Sequence, residues 1–329
     1  VTREGMRRIT QPGQWGKNVR THWRYFVVSV CGALLFLFSH VACAQEAEPR
    51  AVYLVGSGNP ALDLYMTQLL ENSLGDDVSL RQLTNGQTAT LDGAPIVTIG
   101  PSAFSKVRQS NRDTPILALL VERSFIQDYA EDNRGQISAV FYDVPLELQA
   151  VIGKAILPQA TKVAIIATSE TVGLYEQVLD QLPSIGLQPR VFIVDSQKEL
   201  IPTLARALSF GDFLLAGPDD VLYNPRTIKH ILLTAYRRNR IVIGPSQAYV
   251  KAGALASGYA PFPVMAEAAA AQLRQFVESG EFPAPEYPGR YSVEINDQVA
   301  RSLNIPLPDE EALDQDLARA RAQYGGIGE

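Results

Sequence analysis

Only two cysteines occur in this sequence, Cys31 and Cys43, and both fall near its beginning. The rest of the chain therefore has no disulfide, no thiolate nucleophile and no thiolate metal site. Of three histidines, only His230 lies beyond residue 44, inside an amphipathic helical pattern that gives it a surface or packing role. A His-based triad and a His-rich metal centre are excluded with it. No Gly-x-Ser-x-Gly elbow is present, and no acid–His pair exists to activate a serine. Gly56-x-Gly58-x-x-Ala61 resembles a dinucleotide fingerprint, but that motif wants an acid at the end of the second strand, where Leu83-Thr84 stand instead. The apolar run at 25–38 is shorter than the ~20 residues of a comfortable membrane span. There is no short-period repeat and no low-complexity segment. These absences argue against an enzyme, and neither a cofactor nor a metal is expected.

What is present is an ordinary globular composition, 46% apolar and 19% charged over 329 residues, long enough for two domains. Residues 1–44 read as a signal peptide. Arg7, Arg8, Lys17, Arg20 and Arg24 precede the apolar run, and Ala42-Cys43-Ala44 gives a small-x-small cleavage signature. Cleavage after Ala44 and a periplasmic location are expected. The alternatives are an uncleaved anchor, or lipidation at Cys43, against which stands His40 where a lipobox normally has Leu. Met6 is an alternative first residue. Cleavage leaves 23 basic against 34 acidic residues, a net charge of −11. So acidic a chain repels phosphate backbones, and nucleic acid is not an expected partner.

From residue 51 onward, strand and helix patterns alternate at parallel-sheet spacing. Strands are expected at 51–55, 78–83, 96–99, 116–121 and 138–142, with helices at 60–74, 102–109 and 125–130 between them. A second cycle starts at Pro145: helix to 157, strand 163–167, helix to 182, strand 190–194, helix 196–208. It culminates at 213–260, which reads strand, polar loop, helix, strand, polar loop, strand. There Asn224 offers an N-cap and Pro225 sits at the first helical position. Ile228, Ile231, Leu232 and Ala235 then form one buried face. The stretch 254–259 is a candidate crossing back to the first half, followed by an Ala-rich helix at 263–279. The fold class expected is α/β, two Rossmann-like parallel-sheet lobes joined by a multi-crossover hinge. Lobe 1 is expected to comprise 45–143 plus about 260–288 and lobe 2 144–259 plus about 289–308, with a C-terminal helix and tail at 309–329.

The second half resembles the substrate-binding proteins of an ABC-transporter family with the type I periplasmic-binding-protein fold. The resemblance lies in the acidic loop Pro218-Asp219-Asp220-Val221-Leu222-Tyr223-Asn224, in Ile241-Val242-Ile243-Gly244-Pro245-Ser246, and in Tyr249-Val250-Lys251-Ala252-Gly253-Ala254-Leu255-Ala256. It extends to the ending Ile295-Asn296, Ala300 and Leu303-Asn304-Ile305-Pro306-Leu307-Pro308, so covering roughly 213–308. Members that carry aromatic amino acids usually have Thr-Pro-Ala-Ala-like and Thr-Asp-Pro loops in the first lobe. Here Gly100-Pro101-Ser102-Ala103 and Val121-Glu122-Arg123-Ser124 stand there, so the resemblance implies a fold and not a ligand.

In such a clamshell, loops at the carboxyl ends of strands face each other across a cleft. The first-lobe candidates are Ser57, Asn59, Ser102 and Glu122; hydroxyls at helix starts suit a carboxylate or another small anion, and turn formation with helix capping is their alternative role. The second-lobe candidates are Ser169, Glu170, Asp219, Tyr223 and Ser246, with Tyr142 and Tyr259 near the crossovers. Asp219 is placed to pair with a ligand ammonium, or else serves turn chemistry. The expected function is that of a monomeric exported solute-binding protein. It would close on a small polar molecule, an amino acid or small anion, and present it to an ABC permease. A membrane sensor kinase is the alternative partner.

Overall fold

The computed structural model describes residues 50–75, 78–83, 93–217, 219 and 221–324. The expected signal peptide, Thr84, Pro218, Asp220 and the tail at 325–329 lie outside the described residues. Strands β1 (Arg50–Val55), β2 (Val78–Gln82), β3 (Ile96–Ile99), β4 (Ile116–Val121) and β5 (Ile137–Phe141) form a parallel sheet in the order β2-β1-β3-β4-β5. The sequences IVTI and ILALLV of β3 and β4 carry no polar alternation because helices cover both faces of the sheet. Those helices are α1 (Pro60–Leu74), α2 (Pro101–Ser110) and α3 (Arg123–Asp132). Helix α1 starts where local chemistry dictates: Asn59 Oδ1 accepts from the N–H groups of Ala61 and Leu62, and Pro60 takes the first turn.

Helix α4 (Leu146–Ile156) leads into a second sheet of β6 (Lys162–Ala167), β7 (Gln188–Ile193), β8 (Phe213–Leu215), β9 (Ile241–Ile243), β10 (Ala256–Tyr259) and β11 (Ser292–Ile295). Its order is β11-β10-β9-β8-β6-β7, parallel except for β11, which pairs antiparallel with β10. Its other connections are a 3-10 turn (Val172–Tyr175), α5 (Glu176–Gln181), a second 3-10 turn (Leu182–Ile185), α6 (Gln197–Phe210), α7 (Ile228–Arg237) and α8 (Gln247–Ala252).

Three passages join the sheets. The first is α4, buried on almost every side. Val144 and Leu148 belong to the core formed with β1, β3, β4 and α1, whereas Ala150, Ile152 and Ile156 belong to the core formed with β6, β8 and β9. The second leaves β10 for α9 (Phe262–Ser279), whose Met265, Ala266, Ala269, Ala270 and Leu273 pack in the first core. The third returns to β11 past Glu286, whose carbonyl accepts from Phe141 N–H at 3.0 Å, extending the first sheet beyond β5. Buried Gln272 fastens this return, accepting from the Ser138 hydroxyl at 2.8 Å and donating to Glu286 at 3.0 Å. Helices α10 (Asp297–Ser302) and α11 (Glu310–Tyr324) close the described chain, α11 lying along α4.

Three local readings change. Helix α7 begins at Ile228, not after Asn224, because Asn224 Oδ1 accepts from Arg226 and Thr227 N–H and so forms a turn of its own. The polar stretch after β9 contains the short helix α8. The passage at 254–259 is β10, a member of the second sheet, and the chain crosses only after it.

Candidate functional site

The carboxyl ends of both sheets open on one cavity of about 550 Å³. From the first sheet come Glu122, Arg123 and Ser124 after β4 and residues 142–145 after β5. From the second come residues 173, 174 and 176–178 after β6, Gly217 after β8, and Pro245, Ser246 and Tyr249 after β9; Glu147 and Gln149 of α4 and Tyr287 of the return passage are also in the lining. A bulge aims the β4 loop. The pairing of β4 with β5 slips between Leu119 and Val121, and Leu120 takes φ 56°, a left-handed conformation that a bulky side chain adopts at a cost. Gly217 is required where it stands, since a Cβ there would overlap the Tyr175 hydroxyl.

Charge in the cavity is unbalanced. Glu122, Asp143, Glu147 and Glu176 line it against one cation among the described lining residues, Arg123. Arg123 is held in place: its backbone N–H donates to Asp143 Oδ1 at 2.9 Å, its Nε to Gln127 at 3.2 Å, and its guanidinium to the Tyr287 hydroxyl. Tyr287 in turn donates to Asp143 Oδ2 at 3.3 Å. Enclosure pushes the Asp143 carboxyl up despite these donors and the Arg123 charge.

Glu147 is the more unusual group. It is 4% exposed, and among the described residues its carboxylate takes a hydrogen bond only from its own backbone N–H. Burial pushes its carboxyl above the usual range, with that N–H and the nearby Arg123 charge pulling the other way. A buried carboxylate so poorly served is costly to the empty protein. Four tyrosines, Tyr142, Tyr223, Tyr249 and Tyr287, supply the walls. Burial, and then the charge of Glu122, pushes the Tyr142 hydroxyl up, so it stays a neutral donor. Neighbouring Gln149 is fully committed: its Oε1 accepts from Gly258 N–H at 2.8 Å and its Nε2 donates to the Gly258 carbonyl at 3.1 Å, tying α4 to β10.

No model of a known family matches the chain, and no curated protein matches it either. Solved structures do. A substrate-binding protein with adhesive properties from Clostridium difficile, in its ligand-free open form, superposes with a TM-score of 0.63 at 14% identity, over 80% of this chain and 97% of that one. A conserved domain protein from Vibrio cholerae gives 0.54 at 17% identity, and the ABC domain in complex with L-Trp from Streptococcus pneumoniae gives 0.53 at 17%, each with the same coverage. The chain has the type I periplasmic-binding-protein fold.

Against that periplasmic-binding fold, the residues singled out in the sequence divide. Glu122, Tyr142, Tyr223 and Ser246 line the cavity. Tyr223 does so as a wall only 2% exposed, its hydroxyl turned to the Ile166 carbonyl at 3.4 Å. Ser57, Asn59 and Ser102 do not reach it, because they follow β1 and β3 whereas the cavity lies at the β4–β5 edge. The Ser57 hydroxyl and N–H both bond Asp63 at 2.7 Å, and Asn59 caps α1. Ser102 is exposed in the first turn of α2, Glu170 is exposed after β6, and Tyr259 ends β10 half-buried, all three outside the lining.

Ser169 is spent on Asp195, to which its N–H and hydroxyl donate at 2.8 and 2.7 Å. These bonds hold the Asp195 carboxyl below its usual range.

Asp219 is a correction in role. It is 1% exposed and accepts from Thr168 N–H at 3.0 Å, the Thr168 hydroxyl at 3.1 Å, the Thr171 hydroxyl, and the N–H groups of Val221 and Leu222. Burial pushes its carboxyl up, yet those donors outweigh it and the net direction is down. The residue locks two loops together instead of facing a ligand ammonium.

Asp143, Glu147, Arg123, Tyr249 and Tyr287 were not legible as site residues. One sequence signal pointed at Glu147: LELQAVIGKAI has only two charges and apolar residues all round, the mark of a helix enclosed on every side.

Proposed function

We propose that this chain is an exported solute-binding protein whose two lobes close on a small polar molecule. The supporting observation is the cavity at the strand ends of both sheets, lined from each, in a chain that passes between the sheets three times. Such a site captures a ligand by differential affinity for the closed form, which a membrane partner then reads. An ABC importer is the leading partner, the one implied by the resemblance at 213–308, and the substrate-binding protein from Clostridium difficile with the same fold supports the solute-binding role. A membrane sensor reading the closed lobes is the second. Removal of residues 1–44 and a periplasmic location belong to the same proposal. Among the described residues no helix is long and apolar enough to cross a membrane, and no cluster of His, Cys, Asp and Glu is arranged to hold a metal.

A thermal-shift screen of residues 45–329 against amino acids, amines, sugars, nucleosides and small acids tests the proposal. Ligand at ~100 times its dissociation constant adds ~2.7 kcal/mol of stability, which such a scan resolves. A hit that loses its shift when Tyr142 is changed to Ala places binding in the cavity. A screen in which no class shifts the melting point removes the solute-binding reading. The hit then decides between partners: stimulation of a reconstituted permease ATPase supports import, and altered autophosphorylation of a membrane kinase supports sensing.

A further inference from the structure

From the charges that line the cavity we infer the class of ligand: a small organic cation, a protonated amine or guanidinium on an apolar or aromatic frame. This rests on the solute-binding reading above and narrows it. Four carboxylates against one arginine would repel an anion. The arginine is also already engaged by Gln127, Tyr287 and the loop that holds Asp143, so it is not held in reserve for a ligand carboxylate. Glu147 carries the inference furthest. It lines the cavity from α4, is 4% exposed, and no other described residue hydrogen-bonds its carboxylate. A buried acid whose carboxylate is hydrogen-bonded by no described residue but its own backbone is suited to a partner that arrives from solution, and a hydrogen-bond-donating cation satisfies both its charge and its lone pairs. The tyrosine walls fit the rest of such a molecule, because phenol faces attract cations and their edges pack an apolar frame. Of the hydroxyl-bearing helix starts that would suit an anion, Ser57 and Ser102 lie outside the cavity, and Ser124 and Ser246, which line it, share it with the four carboxylates.

The test uses matched frames that differ in charge: phenethylamine, phenylalanine and 3-phenylpropionate, with agmatine and arginine as a second set. Isothermal titration and melting shifts are measured on residues 45–329 and on the E147Q and E122Q variants. The expected result is that phenethylamine or agmatine binds and that the anion does not. E147Q should then weaken the cation by more than roughly 30-fold, equivalent to about 2 kcal/mol, and E122Q, at the exposed rim, by much less. Preferential binding of phenylpropionate or of the zwitterions overturns the cation assignment and leaves the solute-binding reading standing. So does a cation that E147Q binds as tightly as the parent chain. If no compound of any charge class binds, the solute-binding reading falls and the assignment with it. A circular dichroism melt of E147Q separates lost binding from lost folding, and a folded variant with lost cation affinity is the supporting outcome.

Discussion

Glu147 and Asp219 are both buried acids, and their surroundings give them opposite tasks. Glu147 has its carboxyl pushed up by burial with little to compensate it, whereas Asp219 is held down by five donors. For an acid whose folded pKa is raised, the stabilising contribution is present below the unfolded pKa and is lost as pH rises through the folded one. Replacing Glu147 with Gln should therefore raise the melting temperature of the empty chain at neutral pH, and the gap should close as pH falls towards 4. Melts from pH 4 to 8 check this, and a variant less stable than the parent at pH 7 would count against a carboxylate kept for a ligand. Glu122, Asp143, Glu176, Arg123 and the cavity tyrosines share the site and shape the same profile. An ion pair at 4 Å is worth about 4 kcal/mol at an effective dielectric of 20 but about 1 in water, so buried Glu147 outweighs exposed Glu122. Asp219 behaves in reverse. Asp219→Ala strands donors from Thr168, Thr171, Val221 and Leu222, and a loss on the order of 3 kcal/mol is expected in a urea melt. An unchanged midpoint would return Asp219 to the list of ligand contacts.

Among the elements, α4 has the greatest leverage, because one helix contributes to both cores and carries Glu147 and Gln149 on its first two turns. Its seat on the second sheet is close. A Cβ at Gly153 would lie 2.6 Å from a ring carbon of Phe213 in β8. Gly153→Ala gains about 1 kcal/mol of helix propensity but overpacks a filled interface at about 1–3 kcal/mol. A net loss of stability is expected by urea denaturation, with a weaker hit in any ligand screen as α4 is displaced. A more stable variant would show that the helix slides without cost, and its role in placing Glu147 would have to be given up. The bulge at Leu120 plays the matching part in the first sheet by turning the Glu122-Arg123 loop into the cavity.

Between the two sheets, the cavity receives residues from the ends of strands in both, and the proposed solute-binding function makes ligand affinity and lobe closure one equilibrium. Saturating ligand is expected to lower the radius of gyration of residues 45–329 in small-angle X-ray scattering, and E147Q should need a higher ligand concentration to show the same change. An identical scattering curve with and without a bound ligand would mean that the lobes do not close, and a membrane partner would then have no shape change to read. Closure of this kind also predicts that the ligand slows hydrogen exchange at 142–147 and at 245, 246 and 249, which line the cavity.

The sequence alone determined the parallel-sheet architecture. Unbroken apolar strands such as ILALLV, helix stripes at 3.6 spacing, and caps such as Asn59-Pro60 are local signals that each residue carries in itself. Single-residue turn chemistry was harder to place, as Asn224 shows, because the same side chain that caps a helix also closes a turn. The cavity was decided only by the tertiary structure. Which strand ends meet depends on the sheet orders and on where the chain crosses, and those orders put β4 and β5, not β1 and β3, at the gap. A carboxylate acquires its role in the same way: Asp219 and Glu147 look alike in a string of letters, and only the donors brought to one and withheld from the other separate a loop fastening from a receptor for charge.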